Sequence, residues 1–204
     1  RKPSLGQMVQ MDGSHHAWLE KRGPKLVLMA YIDDATNQTY GRFYDYEGTL
    51  PAMDSFFRYS LIYGLPESIY FDKHSTYKAW KKPTIEQELE GVVHKSQFQR
   101  ALEELGIQAI HANSPEAKGR VERLFKTLQD RLVKELRLKK ANNLTQANRV
   151  MDVFLIGFNH KFKRKALSSV DLHRNPPKED TLLSILSIKH KHPLRSDSTI
   201  YHRT

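Results

Sequence analysis

The chain contains no cysteine. Disulfides and thiolate-metal sites such as zinc ribbons are therefore excluded, and a reducing compartment suits the chain. No apolar run approaches the ~18 residues of a transmembrane helix, so no membrane partner is expected. The opening residues, RKPSLGQMVQMDG, hold no signal-peptide core. Arg1 stands where an initiator Met would, as expected of an excised fragment. No internal repeat is visible. What is present is a 204-residue chain, 39% hydrophobic and 27% charged. That composition fits one or two globular domains with a sizeable core, and fits neither disorder nor a membrane protein.

Positive charge is in excess. Lys and Arg number 33 against 23 Asp and Glu, a formal net charge of +10. Such a balance points to a polyanion, most often nucleic acid. The distribution says more than the total. Residues 1–117 carry 13 basic and 15 acidic side chains, whereas residues 118–204 carry 20 and 8. All the excess lies in the second part.

Periodicity divides the chain into short elements. Gln7–Gly13 reads as a strand closed by an Asp-Gly turn, Lys25–Ile32 as a second strand and Thr39–Tyr46 as a third. Leu50–Tyr63 changes to helical spacing, with Leu50, Met53, Phe57 and Leu61 as its stripe and Gly64 as its stop. Ser68–Asp72 reads as a buried strand. Lys73–Ser96 is a polar insertion. Gln97–Leu105 is helical and Ile107–His111 a further strand. Ser114 and Pro115 open a long helix to about Leu138, striped by Val121, Leu124, Leu128, Leu132 and Leu136. Leu144–Phe162 reads as another helix, with Val150, Val153, Phe154 and Phe158 as its apolar side, followed by a short helix near Thr181–Leu186. Three sequential strands followed by alternating helices and strands predict an α/β protein: a five-stranded mixed sheet flanked by helices, of the ribonuclease-H-like fold.

Three carboxylates occupy telling places. Asp12 and Asp72 end predicted strands, and Glu122 lies on the long helix. Converging at a sheet rim, they would bind hard divalent cations through oxygen. Two such ions drive phosphoryl transfer, one at the attacking water or 3′-hydroxyl and one at the leaving oxygen. Asp12 is the natural shared ligand, with Asp72 and Glu122 each completing one site. Each acid also has a plainer reading, as a turn cap or a solvated helix charge. Asp33 and Asp34 compete, but Ala35-Thr36-Asn37 after them suggests an Asx-type turn. Glu116 is the rival for the third ligand, in a helical first turn that favours carboxylates.

The motifs Met11-Asp12-Gly13-Ser14, Tyr31-Ile32-Asp33-Asp34-Ala35-Thr36, Phe71-Asp72-Lys73-His74-Ser75 and Asn113-Ser114-Pro115-Glu116-Ala117-Lys118-Gly119-Arg120-Val121-Glu122-Arg123 resemble the integrase catalytic core of DDE transposases. The likeness is greatest to bacterial insertion-sequence transposases of the ISNCY group, and Leu128–Leu138 strengthens it. The resemblance covers roughly residues 5–175. It implies that Asp12, Asp72 and Glu122 are the metal-binding catalytic triad. It also implies Mg²⁺ or Mn²⁺, two ions with DNA, cleavage at transposon ends and strand transfer to target DNA by the freed 3′-hydroxyl. Double-stranded DNA is the implied partner, bound by a homo-oligomer in the bacterial cytoplasm at the nucleoid. Many members space the second Asp and the Glu more closely than the 50 residues here. The surplus falls in Lys78–Ser96, which can contact DNA or a partner subunit. By this reading residues 1–140 form the catalytic core, 141–184 a helical extension, and 185–204 a linker or the start of a truncated C-terminal domain. The helix-turn-helix and small β domain that recognise transposon ends in the family are expected to be missing.

Basic residues surround the third acid. Lys118, Arg120, Arg123 and Lys126 are candidate DNA contacts, the alternative being a solvated helix side. Lys161–Lys165 is a second basic cluster or a flexible turn. His74, two residues after Asp72, either assists at a phosphate or is a plain rim residue. His15-His16 near Asp12 could bind a transition metal, although adjacent histidines rarely suffice alone. Trp18 and Trp80 receive no role. Two further functions stay open: a ribonuclease-H-like nuclease without strand transfer, and a domesticated, non-catalytic DNA-binding or assembly protein.

Overall fold

The three-dimensional structure is a computed structural model, and it describes residues 1–71, 96–111 and 119–190. Five strands form one mixed sheet: β1 (Val9–His16), β2 (Leu26–Asp33), β3 (Thr39–Tyr44), β4 (Ser68–Phe71) and β5 (Gln108–His111). Their order is β3-β2-β1-β4-β5. The first three strands pair antiparallel, and β4 joins β1 and β5 in parallel. Among the described residues five helices accompany them: α1 (Thr49–Tyr63), α2 (Gln97–Glu104), α3 (Gly119–Leu138), α4 (Leu144–Phe162) and α5 (Glu179–Ile185). The α/β architecture expected from the sequence is the one observed.

Strand alternation sorts the helices onto two faces. Met11, Tyr31 and Tyr40 point to one face, where Tyr31 stacks on Tyr59 of α1 with centroids 5.2 Å apart and its hydroxyl lies 2.7 Å from Ser55 Oγ. Phe98 of α2 packs there against Phe56 and Phe71. Gln10, Asp12 and Ser14 of β1 point to the other face, which α3 and α4 cover. The predicted stripe of α3 is buried throughout: Val121, Leu124, Leu128, Leu132 and Leu136. Residues of α4 such as Met151 and Phe158 belong to the same hydrophobic core as the strands.

Three local expectations are corrected. The Asp12-Gly13 pair makes no turn, because β1 runs on to His16 paired with β2, Asp12 opposite Ala30 and Gly13 opposite Met29. The α1 stripe is rotated: Ala52, Met53, Phe56, Tyr59 and Ser60 are buried, while Leu50 and Leu61 are about half exposed. In α4 the buried side is Ala147, Asn148, Met151, Leu155 and Phe158, and Val153 is 70% exposed. Both helices carry apolar residues around most of their circumference, so periodicity alone did not select the face.

Candidate active site

Asp12 sits in mid-strand on β1, half-buried, and its Oδ1 accepts the Gly13 amide at 3.0 Å. Two contacts fix how α3 lies over this strand. At one end Arg120 Nε is 2.8 Å from Asp34 Oδ1, just after β2 and beside the start of β1. Further on, Gln129 Nε2 lies 3.4 Å from Ser14 Oγ. Glu122 precedes Gln129 by two helical turns and so shares its flank. Asp12 precedes Ser14 by two residues and so shares its strand face. The helix and strand run in the same direction between these contacts. Asp12 thus lies on the face of β1 that α3 covers, and Glu122 lies on the flank of α3 that carries Gln129. Glu122 is exposed in the first described turn of α3. Asp72, which follows Phe71 directly, lies outside the described residues, as do His74, Trp80, Glu116 and Lys118.

The helix separates its basic residues. Lys126, one turn after Glu122, shares that flank. Arg120 lies on the opposite flank, where it is engaged: besides the ion pair, one of its terminal nitrogens donates to the Asp34 carbonyl at 2.9 Å. Burial lowers the Arg120 pKa against the opposing pull of Asp34, yet a guanidinium remains charged at any physiological pH. Asp34 is itself buried and also accepts the Lys2 amide at 2.6 Å and Gln10 Nε2 at 3.3 Å. Its role was invisible in the sequence, because its partner lies 86 residues away. Asp33 does form the expected Asx-type turn, accepting the Thr36 amide and hydroxyl, both at 2.7 Å.

Two clefts open beside α3. One, of about 590 Å³, is lined by Arg1, Lys2, Gln10, Tyr70, Arg120 and Arg123 among others. The buried Gln10 Oε1 has no hydrogen-bond partner among the described residues. The other, of about 310 Å³, gathers Arg1, Asn37, Arg120, Arg123 and Arg164. Arg123 lines both. Arg1 carried no signal in the sequence, and Arg164 stood out only as part of a basic run. The remaining sequence candidates are accounted for by packing. His15 Nε2 lies 2.7 Å from Glu47 Oε2, and His16 meets Trp18 edge-on. Trp18 is fully buried, its indole donating to the Ser14 carbonyl at 3.1 Å.

Among the described residues no three His, Cys, Asp or Glu side chains group as a metal site. Asp12 and Glu122 supply the hard oxygen donors that Mg²⁺ or Mn²⁺ prefers.

Known proteins resemble this chain in sequence and in fold. A protein of Sinorhizobium fredii (strain NBRC 101917 / NGR234) named as a transposase, y4bF, is 39% identical over 175 residues, 85% of this chain and 37% of its own length. The transposase for insertion sequence IS1202 of Streptococcus pneumoniae is 35% identical over 192 residues, 92% of this chain and 40% of its own. The magnesium-bound, dimeric HTLV-2 integrase catalytic core domain superposes with a TM-score of 0.57 at 17% identity, covering 79% of this chain and 91% of that one. This chain resembles a transposase/integrase-like core. No family model matches it. The core has the ribonuclease-H-like fold of its structural neighbours. It spans about two fifths of the length of the transposases it matches. No described helix of this core is long and apolar enough to cross a membrane.

Proposed function

We propose that this core is the catalytic part of a DNA transposase, cleaving transposon ends and joining the 3′-hydroxyl to target DNA. The observation that supports the reading is the likeness to two transposases, together with Asp12 on the face of β1 covered by α3, the helix that carries Glu122. Asp72, adjoining the strand that pairs with β1, is proposed as the third carboxylate. Together these three would hold Mg²⁺ or Mn²⁺, two ions once DNA is bound. The ions supply Lewis-acid polarisation of the scissile phosphate and activation of the attacking hydroxyl. The chain's own part is positioning. Arg123, Arg164 and Lys126 are proposed to hold backbone phosphates, while Arg120 steadies α3 through Asp34. Lys118 and His74 are proposed as further DNA contacts. The active form is proposed to be a homo-oligomer on double-stranded DNA in the bacterial cytoplasm, at the nucleoid. The HTLV-2 integrase core was solved in a dimeric form, in keeping with that proposal.

The test is a strand-transfer assay with a pre-cleaved end, a target duplex and Mn²⁺, run beside Mn²⁺ binding by calorimetry. Asp12→Asn and Glu122→Gln are expected to lower joined product by about 10²-fold or more, the scale of losing a few kcal/mol of transition-state stabilisation. Both should also weaken Mn²⁺ binding. Unchanged activity in Asp12→Asn overturns the carboxylate assignment. Hydrolysed ends without joined product would make the core a nuclease. DNA binding without either product would make it a non-catalytic assembly protein.

A further inference from the structure

A second surface lies away from the carboxylates. Helices α3 and α4 pack antiparallel, Arg131 meeting Phe162 at one end. Between them runs a groove of about 760 Å³. Its floor is apolar, built by Val150, Val153, Phe154, Gly157 and Phe162. Its walls are basic: Arg131, Lys134, Lys139, Arg149 and Lys161 outnumber Asp130 and Glu135. Asp130 is already paired with Lys134. The wall residues run from Asp130 on α3 to Lys139 just past its end, about 14 Å at 1.5 Å per residue, the length of about two and a half turns of a docked helix.

Two details narrow the occupant. Gly157 lies in mid-helix, and a Cβ there would meet nothing within 4 Å. Glycine is the poorest helix former after proline, so its presence where alanine fits leaves room for a close backbone approach. The aromatic floor is not arranged for stacking bases. Phe162 packs on Phe158 with centroids 4.7 Å apart, and Arg131 and Lys161 lie 5.2 and 5.7 Å from its ring centre. Phe154 packs on Phe158 at 5.5 Å. An apolar floor between basic walls complements a helix with an apolar stripe flanked by carboxylates. We propose that the α3–α4 groove docks an acidic amphipathic helix of a partner protein.

The probe is a synthetic helical peptide with leucines at i, i+3, i+4 and i+7 and glutamates elsewhere, beside its lysine counterpart. Binding is read by fluorescence anisotropy with the whole chain. The acidic peptide is expected to bind saturably, and at least tenfold more tightly than the lysine version. Val153→Glu should weaken it at least tenfold while leaving the melting temperature in place, because Val153 is 70% exposed. Gly157→Ala should also weaken it while raising the melting temperature, so loss of binding there is not loss of fold. Equal affinity for the two peptides, or indifference to Val153→Glu, overturns the proposal. So does displacement of the peptide by a duplex or single-stranded oligonucleotide whose own binding Val153→Glu abolishes. Dissociation of a dimer by Val153→Glu in sedimentation, without acidic-peptide binding, would assign the groove to a second copy instead.

Discussion

Arg120 and Arg123 differ by three positions and by what surrounds them. Arg120 makes a two-point contact with Asp34, whose side chain is 6% exposed. Removing the guanidinium takes away the nearest cation of that carboxylate, the Arg1 ammonium being 4.0 Å away. Arg120→Ala is expected to lower stability by about 1.5–3 kcal/mol, the range for hydrogen bonds to charged groups. Arg123 is exposed and lines both clefts. Arg123→Ala should leave stability within about 0.5 kcal/mol and weaken DNA binding, with a shallower dependence on salt. Denaturant titration and anisotropy on the same two variants separate the roles. A stable Arg120→Ala, or a destabilised Arg123→Ala, would reverse them. The sequence placed both arginines in one group beside Glu122, since linear spacing cannot show that a buried Asp34 waits for one of them.

At the scale of elements, β3 is an edge strand, and α4 covers it in an unusual way. Asn148 accepts the Phe43 amide at 2.8 Å and donates to the Phe43 carbonyl at 3.1 Å. Asn159 does the same for Thr39, at 2.8 and 2.7 Å. The two asparagines are eleven residues apart, about three helical turns, and so share a face. Thr39 and Phe43 likewise share a strand face. Two carboxamides thus stand in for a missing neighbouring strand and hide an edge that would otherwise template pairing. Asn148→Ala is expected to cost about 1–3 kcal/mol by leaving buried backbone groups unpaired. Light scattering on partial denaturation should rise as well. A variant as stable and as monodisperse as the parent would remove this role. The helix itself was legible from residues 144–162, down to both ends. Its buried face was not, because the sequence shows Val153 and Ile156 as apolar as Met151, and only β3 decides which side turns inward.

Across the whole molecule, the packing of α1 on the sheet carries a pH signature. Burial pushes the hydroxyls of Tyr40, Tyr44, Tyr59 and Tyr63 above their ordinary value, and for Tyr44 the Asp54 carboxylate adds to it. The folded state therefore favours the neutral phenol, whereas the unfolded chain ionises near pH 10. Their contribution to stability is complete below about pH 10 and is lost as pH rises beyond it, at no more than about 1.4 kcal/mol per pH unit for each tyrosine. Urea denaturation between about pH 9 and pH 11.5 should show this decline. Tyr40→Phe should reduce its slope, and a slope equal to the parent's would place Tyr40 outside the effect. The net charge acts at the same scale. Its excess lies wholly after residue 117, and among the described residues Arg123 and Arg164 bring part of it to the clefts and Arg131, Lys139, Arg149 and Lys161 bring part to the groove walls.

Order and kind of element were set by the sequence alone, through period, length and the turn residues between them. The proposal of Asp12 and Glu122 as ligands also rests on the sequence, through the motifs Met11-Asp12-Gly13-Ser14 and Gly119-Arg120-Val121-Glu122-Arg123. Tertiary structure decided what these residues meet. The parallel placement of α3 over β1 sets Gln129 beside Ser14 across more than a hundred residues of chain. The same packing takes Arg120 out of the cationic surface and into a pair with Asp34. It also turns the apolar residues of α4 into a floor between basic walls. Each of these depends on which faces of two elements are pressed together, a choice made by burial over the whole core rather than by any local run of residues.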